Sequence, residues 1–407
     1  MGWEPSPRPA WVEAVNRGDV EPIADEAARP LTVDALLAEA LAVEGSDDPR
    51  DLGDDAYLEP LGRFLDAVES EARLTVLGRW LTRRFLLRLL TGRIQQERYV
   101  RADPGVVDEP ITSPIVVAGA PRTGTTILHA LLVRDPALRA PLGWELLRPV
   151  PPPPTLGHED GRVELAEAEL RMLARVTPTM DAIHEYGARN PKECLSAMSF
   201  ELLSEELTAR YDIPSFTAWF QTVDMRPAYE RHKLVLQILQ RRTGAAQWVL
   251  KSPVHLHNLE ALVAVYPDAR IAFTHRDPAE ILASATSLVA NLRWVFSDDV
   301  DYPAIGRYHV DLFARSLGRL VDIELPGPVS HTHYRDFLDR PLDTVRSVYD
   351  SLGIEWSDEL AQRMAEHLAA QPKGRHGEHR YDFNDLGIGR GEVDAAFARY
   401  VARFSAP

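Results

Sequence analysis

The pattern of apolar and polar residues divides the chain near residue 110. Before that point apolar residues recur with a helical period, which predicts amphipathic helices over residues 31–43, 58–71 and 74–90, the first of them capped by Thr32. After it, short apolar runs at residues 115–118, 248–251, 271–275 and 329–334 alternate with helical stretches. This alternation predicts a parallel sheet covered by helices on both faces, with ligand-binding loops at the carboxyl ends of the strands.

A long helical stretch separates the first two predicted strands. Helical periodicity runs over residues 164–206 and 229–242, and the prolines of residues 149–154 predict a stiff, extended exit from the core. We expect the insertion, from about residue 145 to 245, to cover the site and bind a second substrate. The predicted organisation is a helical segment at residues 1–110, packed on an α/β domain at residues 111–407 that ends in a helix over residues 391–404.

The first apolar run leads into the most informative motif, PIVVAGAPRTGTT at residues 114–126. A strand, a glycine loop and a helix start form an anion cradle, because the loop amides and the positive end of the helix dipole point at the same place. The ATP and GTP version of this loop has a lysine directly after its second glycine. Here that position is Thr125, and the cation is Arg122, two residues before Gly124. The change favours a shorter anion than a triphosphate, such as a 5′-phosphate that carries one transferable group.

A second motif follows the third predicted strand. Arg276 ends that strand, and Ser284 lies eight residues further on the next predicted helix. An arginine fork with an added hydroxyl suits a phosphate monoester.

In this order, the two motifs resemble those of sulfotransferases that use 3′-phosphoadenosine 5′-phosphosulfate (PAPS). Segments 250–256, 334–337 and 373–377 and the helical region 48–93 are similar to the bacterial branch of that family, so the resemblance covers roughly residues 30 to 405. It implies a P-loop-like three-layer α/β fold with a central parallel sheet, an N-terminal helical segment and a helical insertion. It also implies in-line transfer of the sulfuryl group of PAPS to a hydroxyl of a small, partly apolar acceptor, with PAP as the product.

The resemblance assigns roles to individual residues. Arg122 stabilises charge, and Lys251 reaches the leaving oxygen. Arg276 and Ser284 bind the 3′-phosphate, and Tyr334 contacts the adenine. The remaining cofactor contacts are the loop residues Thr123, Gly124, Thr125 and Thr126, and the basic residues Lys373 and Arg375 near the 3′-phosphate.

The general base has two candidates. In cytosolic members of the family, a histidine follows the lysine that matches Lys251 by two residues. In this chain that position is Pro253. Other branches use a glutamate past the first loop helix, which corresponds to Glu145. A carboxylate beside Trp144 in an apolar pocket would have a raised pKa suited to a base. His255 is the competitor.

The amino-acid composition limits the kinds of partner and the cellular location that we expect. A net charge of −16 argues against a nucleic-acid surface, and the single cysteine, Cys194, suits a reducing compartment. No apolar run reaches membrane-spanning length, so we expect a cytoplasmic protein. We expect no metal, because no histidine pair has a third ligand nearby. The sequence leaves the oligomeric state undecided, and a homodimer is one possibility. The alternative functions are those of a P-loop kinase-like enzyme and of a non-catalytic nucleotide-binding module.

Overall fold

The computed structural model describes residues 3–183, 187–244, 246–370 and 382–404. The N-terminal helices are α1 (Ala10–Asn16), α2 (Glu21–Ala28), α3 (Val33–Val43), α4 (Leu58–Glu71) and α5 (Val76–Ala102). The helices between the loop and the second long strand are α6 (Thr125–Leu132), α7 (Gly143–Leu147), α8 (Arg162–Val176), α9 (Met180–Ile183), α10 (Leu195–Met198), α11 (Glu205–Arg210), α12 (Pro214–Phe220) and α13 (Arg226–Gln240). The remaining helices are α14 (Val254–His257), α15 (Leu259–Val265), α16 (Pro278–Phe296), α17 (Tyr302–Leu320), α18 (Tyr334–Asp339), α19 (Pro341–Leu352), α20 (Asp358–Ala370), α21 (Arg390–Ala396) and α22 (Ala398–Phe404).

The strands of the described ranges form one parallel sheet, which confirms the predicted fold class. They are β1 (Ile115–Ala118), β2 (Leu138–Arg139), β3 (Gln247–Lys251), β4 (Arg270–His275) and β5 (Val329–His333). Their order in the sheet is β2-β3-β1-β4-β5. Strand β2 was not predicted, because a two-residue edge strand has no period that a sequence pattern can show. The central position of β1 places the loop after it in the middle of the ligand-binding edge.

Helices cover both faces of the sheet, as the side-chain alternation of β1 shows. Ile115 and Val117 belong to one apolar cluster, with α6 and α19, whereas Val116 and Ala118 belong to the larger cluster on the other face. All four residues are buried. This continuous burial is typical of a central parallel strand and explains its uninterrupted apolar sequence.

The N-terminal helices pack on the α/β core through α5. A Cβ added to Gly78 would lie 2.0 Å from the carbonyl oxygen of Phe296, so only glycine allows α5 to approach the end of α16 this closely. The Thr75 amide donates to the same carbonyl at 2.9 Å, and the Thr75 hydroxyl caps α5 at Gly78. The division of the chain near residue 110 stays a prediction.

The inserted region is helical, but it is more broken than the periodicity predicted. Residues 164–206 were expected to be helical, and they contain parts of α8, α9, α10 and α11 separated by turns. Thr32 caps α3 as predicted, by accepting from the Ala35 amide. None of the helices in the described ranges is both long and apolar enough to span a bilayer.

Candidate active site

The loop after β1 has a conformation that turns its backbone toward a bound anion. Arg122 and Gly124 both have positive φ, at 68° and 100°, so the chain alternates between right- and left-handed conformations before α6 begins. Such alternation points successive amides into one concavity. Thr123 is buried beneath the loop, and its hydroxyl contacts the Ala120 carbonyl at 2.7 Å and the Thr274 hydroxyl at 2.5 Å. These contacts attach the loop to β4 and hold its shape.

Two glycines are required where they stand in this loop. A Cβ on Gly119 would lie 2.3 Å from the Thr274 hydroxyl, and a Cβ on Gly124 would lie 3.1 Å from the Phe337 ring. At the start of α6, Thr125 is buried and Thr126 is exposed. The cradle therefore consists of backbone amides, one exposed hydroxyl and the exposed side chain of Arg122, for which the described residues provide no carboxylate partner. This arrangement fits the 5′ end of an anionic nucleotide.

Gly124→Ala is expected to weaken PAP binding at least about tenfold. The left-handed backbone is strained by roughly 1–2 kcal/mol for an L-residue, and the new methyl group must displace Phe337 or the loop. Calorimetric titration with PAP measures the change. Gly157→Ala is the control, because Gly157 has a φ of +78° with no atom near its would-be Cβ. It should lower stability and leave PAP affinity unchanged, and equal PAP affinities for the two variants would contradict the assigned role of Gly124.

Arg276 joins the two predicted nucleotide motifs. Its Nη1 donates to the Arg122 carbonyl at 3.0 Å, and its guanidinium lies 4.3 Å from the centre of the Tyr334 ring. Glu280, one helical turn along, accepts from Nη2 at 3.0 Å. The structure thus brings Arg276 and Tyr334, from the ends of β4 and β5, to the same edge as the loop. Both line a cavity of about 660 Å³ that is closed on one side by α21 and α22.

The other predicted contacts for the 3′-phosphate are located only in part. Ser284 is buried in the second turn of α16, 2% exposed. Lys373 and Arg375 lie outside the described residues.

Lys251 ends β3 and forms a buried ion pair that the sequence did not reveal. Its Nζ lies 2.7 Å from Oε1 of Glu193, a residue of the insertion just before α10. The amide of the next residue, Cys194, donates to the Lys251 carbonyl at 3.1 Å. These two contacts fix the insertion to the carboxyl edge of the sheet. They put a carboxylate, which sequence reasoning missed, directly beside the predicted catalytic lysine.

Glu145 does not occupy the open apolar pocket that was expected for it. Both carboxylate oxygens accept hydrogen bonds, one from Arg139 Nη2 at 2.7 Å and the other from the Leu142 amide at 2.9 Å. Arg139 in turn lies over the Trp248 ring at 4.4 Å. Glu145 lines neither the cavity beside Arg276 nor the second cavity described below. These contacts fix the β2 edge to the core and indicate a structural role for Glu145, whereas its assignment as the base stays a prediction.

Glu145→Gln is expected to lower the free energy of unfolding by about 3 kcal/mol, because it leaves the buried Arg139 guanidinium without its counter-charge. Turnover per folded molecule should stay near that of the parent protein. Urea unfolding and turnover measured on the same preparations check both parts. The double variant Arg139→Gln/Glu145→Gln should recover part of the stability. Loss of turnover without loss of stability would support Glu145 as the base.

His255, the other candidate base, is buried, and its catalytic role stays a prediction. Its Nδ1 lies 2.9 Å from the Tyr229 hydroxyl, and its Nε2 has no partner among the described residues. Burial, helped by the nearby His232, lowers the pKa of His255 to about 3. It lines neither large cavity. No group of three or more histidine, cysteine, aspartate or glutamate side chains suited to a metal ion occurs in the described part of the chain.

A second cavity, of about 170 Å³, lies on the insertion side of the loop; we call it the acceptor cavity. Pro121 of the loop and Glu193 both contribute to its wall. Its apolar lining comes mainly from the insertion and from α16 and α17, and includes Leu170, Leu173, Leu195, Leu288, Val289, Leu292, Leu312 and Phe313. Charged and polar side chains also line it, among them Lys192, Glu193, Glu205, Glu206, Arg210 and His257. A molecule in this cavity would contact both kinds of side chain and would face the anion loop.

The fold and this edge of the sheet are typical of an enzyme that uses an anionic nucleotide to modify a second molecule. The model of the sulfotransferase family matches residues 114–358, more than half of the chain. The chain therefore belongs to the sulfotransferase family and is a PAPS-dependent sulfotransferase, as its motifs predicted.

Three mycobacterial proteins illustrate the similarity. The structure resembles that of sulfotransferase STF1 from Mycobacterium tuberculosis H37Rv, with a TM-score of 0.76 and 32% identity over 91% of this chain and 98% of the other. It also resembles STF9 from Mycobacterium avium, with a TM-score of 0.79 and 27% identity over 93% of this chain and 98% of the other. Omega-hydroxy-beta-dihydromenaquinone-9 sulfotransferase Stf3 from Mycobacterium bovis is 25% identical over an alignment of 323 residues that covers 75% of this chain and 74% of the relative.

Proposed function

We propose that this enzyme transfers the sulfuryl group of PAPS to a hydroxyl of a small, partly apolar molecule bound in the acceptor cavity. The observation that carries the proposal is the composition of the cavity wall, which joins the anion loop at Pro121, the acid of the Glu193–Lys251 pair and a set of leucines. A carboxylate beside an apolar binding surface suits a neutral acceptor whose proton must be removed. A hydroxylated molecule also stands in the name of the Mycobacterium bovis relative.

The cofactor is assigned to the residues whose geometry fits it. The cradle of residues 122–126 would hold the 5′-phosphosulfate, because its amides converge and Arg122 is exposed without a carboxylate partner in the described ranges. Arg276, with Ser284, would hold the 3′-phosphate, and the Tyr334 ring would contact the adenine. Lys373 and Arg375 remain proposed contacts to the 3′-phosphate.

Bound PAPS supplies the sulfuryl group: the acceptor oxygen forms a bond to sulfur, and the bond from sulfur to the 5′-phosphate oxygen breaks to release PAP. Glu193 takes the acceptor proton, since it is the carboxylate in the cavity wall that contacts Lys251. Protonation of Glu193 removes the negative partner of Lys251, which leaves the ammonium group free to stabilise charge on the departing oxygen. Arg122 stabilises the same charge from the loop. The acceptor cavity positions the hydroxyl and excludes water.

A kinase-like function is not supported. Thr125 occupies the position of the lysine that triphosphate-binding loops require, and the family match stands against a kinase. The helical segment before residue 110 and the inserted helices are proposed to belong to one catalytic unit, because α5 packs on α16, and α16 contributes to the acceptor cavity. A cytoplasmic location stays a prediction.

Sulfur-labelled PAPS, incubated with primary alcohols from butanol to decanol, tests the proposed acceptor class. Each methylene that the cavity buries adds about 0.8 kcal/mol, so kcat/KM should rise about fourfold per carbon until the cavity is filled. Octylamine and a soluble oligosaccharide serve as comparisons and should be poor acceptors. Preference for the oligosaccharide, or no dependence on chain length, would overturn the proposal.

A further inference from the structure

Glu205 is an acid in the wall of the acceptor cavity that the proposed reaction does not use. It is the first residue of α11, and its side chain is 20% exposed. No lysine or arginine nitrogen of the described residues lies within ion-pair distance of its carboxyl group, in contrast to Glu193 and Glu206 in the same wall. Burial, with the negative charge of Glu193 nearby, raises the pKa of Glu205 to about 8. At neutral pH Glu205 therefore carries a proton and can donate a hydrogen bond.

The Nε2 nitrogen of His257, which is on the side of Glu205, has a lone pair that can accept a hydrogen bond. Its Nδ1 lies 2.6 Å from the Ser316 hydroxyl, and that hydroxyl donates its own hydrogen to the Leu312 carbonyl at 2.8 Å. Nδ1 must therefore be the protonated nitrogen, which leaves Nε2 as an acceptor. Burial and the charges of Arg315 and Arg319 lower the pKa of His257 to about 3, so the ring stays neutral.

The two groups are too far apart to bond directly, but one oxygen atom to the side of the pair could bond to both. Nε2 of His257 lies 3.7 Å from Oε1 of Glu205, too far for a direct hydrogen bond. An oxygen atom at about 2.8 Å from each could accept from Glu205 and donate to His257. A hydroxyl can do both at once, whereas a carbonyl can only accept and an ammonium group can only donate.

We propose that Glu205 and His257 form a subsite that binds a second hydroxyl of the acceptor, distinct from the hydroxyl that receives the sulfuryl group. The inference rests on the proposed function, because it assigns the cavity to an alcohol. The reacting hydroxyl belongs beside the Glu193–Lys251 pair at the end of β3, and Glu205 and His257 line the same cavity. The acceptor class is therefore a diol rather than a simple alcohol.

The surroundings give this subsite its selectivity. The His257 ring packs against Phe313 at 5.4 Å between centroids, and Leu312 also lines the cavity. An acceptor that reaches Glu205 and His257 with a methyl group leaves both polar groups unpaired in apolar surroundings. Leaving buried polar groups unpaired costs about 1–3 kcal/mol each, which corresponds to about tenfold or more in affinity.

Calorimetry on the PAP-saturated protein tests the subsite without requiring turnover. The probes are α,ω-diols from 1,4-butanediol to 1,10-decanediol, each compared with the 1-alkanol of the same length. At the length that spans the two positions, the diol should bind at least about tenfold more tightly than the alkanol. A cavity without the subsite gives the opposite order, because burial of an unpaired second hydroxyl is unfavourable. Tighter binding of the alkanol at every length, or no binding of either probe, overturns the inference.

Variants assign the effect to the two residues. Glu205→Leu and His257→Leu should each reverse the preference for the diol, whereas Glu205→Gln, which keeps a hydrogen-bond donor, should retain most of it. The exposed Glu59→Gln is the control and should retain all of it. PAP affinity, measured for each variant, shows that the protein is folded. A diol preference that survives both leucine variants contradicts the assignment.

Infrared difference spectra show directly whether the Glu205 carboxylic acid contacts the diol, which a purely structural role of Glu205 would not predict. The carbonyl band of a protonated carboxylic acid should be present in the parent protein and absent in Glu205→Gln, and the diol probe should shift it. Failure of the sulfation assay with intact diol preference would remove the proposed reaction and keep the subsite. Sulfation of simple alcohols with no diol preference would do the reverse.

Discussion

Glu193→Gln is expected to lower kcat by about 100-fold or more and to leave PAP affinity near that of the parent protein. Removal of a positioned general base lowers rates by about 10²–10⁴-fold. In the native pair, Oε1 of Glu193 lies 2.7 Å from Nζ of Lys251. Glutamine keeps the size and shape of this side chain, but it cannot take a proton. The loss should therefore appear in the chemical step and not in cofactor binding.

Steady-state kinetics with labelled PAPS and octanol, together with PAP calorimetry, measure the two quantities. The exposed Glu260→Gln is the matched control and should change neither. Lys251→Met should also lower kcat. Since the two residues act as one unit, the double variant Glu193→Gln/Lys251→Met should be much less impaired than the product of the single losses. Near-normal kcat in Glu193→Gln would remove Glu193 as the base.

Arg276→Ala is expected to weaken PAP binding about 100-fold. A hydrogen bond to a charged group contributes about 1.5–3 kcal/mol, and the arginine fork would make such bonds to the 3′-phosphate. Arg276 also bonds the Arg122 carbonyl and covers the Tyr334 ring. Adenosine 5′-phosphate, which lacks the 3′-phosphate, separates these roles.

If Arg276 binds the 3′-phosphate, the preference for PAP over adenosine 5′-phosphate should collapse in Arg276→Ala, and Arg276→Lys should recover only part of it, because lysine lacks the fork. Arg340→Ala, an exposed arginine paired with Asp336, is the control and should bind both nucleotides normally. Equal losses for the two nucleotides would instead assign Arg276 only to the shape of the loop.

The strand ends and the cofactor loop could be predicted because their signals are local. A buried run such as residues 115–118, followed by two glycines and an arginine, contains most of what determines the strand, the loop and the helix start. Parallel topology then places the ends of β1, β3, β4 and β5 at one edge, as the register of the sheet shows. Those two facts predict the placement of four residues at this edge, namely Arg122, Lys251, Arg276 and Tyr334.

The proposed base, Glu193, could not be predicted in this way, because its environment depends on contacts between distant segments. Glu193 meets Lys251 from 58 positions earlier in the chain, and nothing in the insertion marks that carboxylate as different from its neighbours. The surroundings of Glu145 differ from the predicted ones for a related reason. The Trp144–Glu145 pair suggested an apolar pocket, but Arg139, on an edge strand too short to predict, neutralises the carboxylate.

In the proposed reaction, an acceptor hydroxyl in the cavity attacks the sulfuryl group of PAPS. Mass spectrometry of the product formed from PAPS and octanol labelled with ¹⁸O in its hydroxyl tests this step. We expect octyl sulfate that retains the label in the ester oxygen, formed by the parent protein and at least about 100-fold more slowly by Glu193→Gln. An ester that has lost the label, or the absence of any octyl sulfate while PAP binds normally, would contradict the proposed reaction.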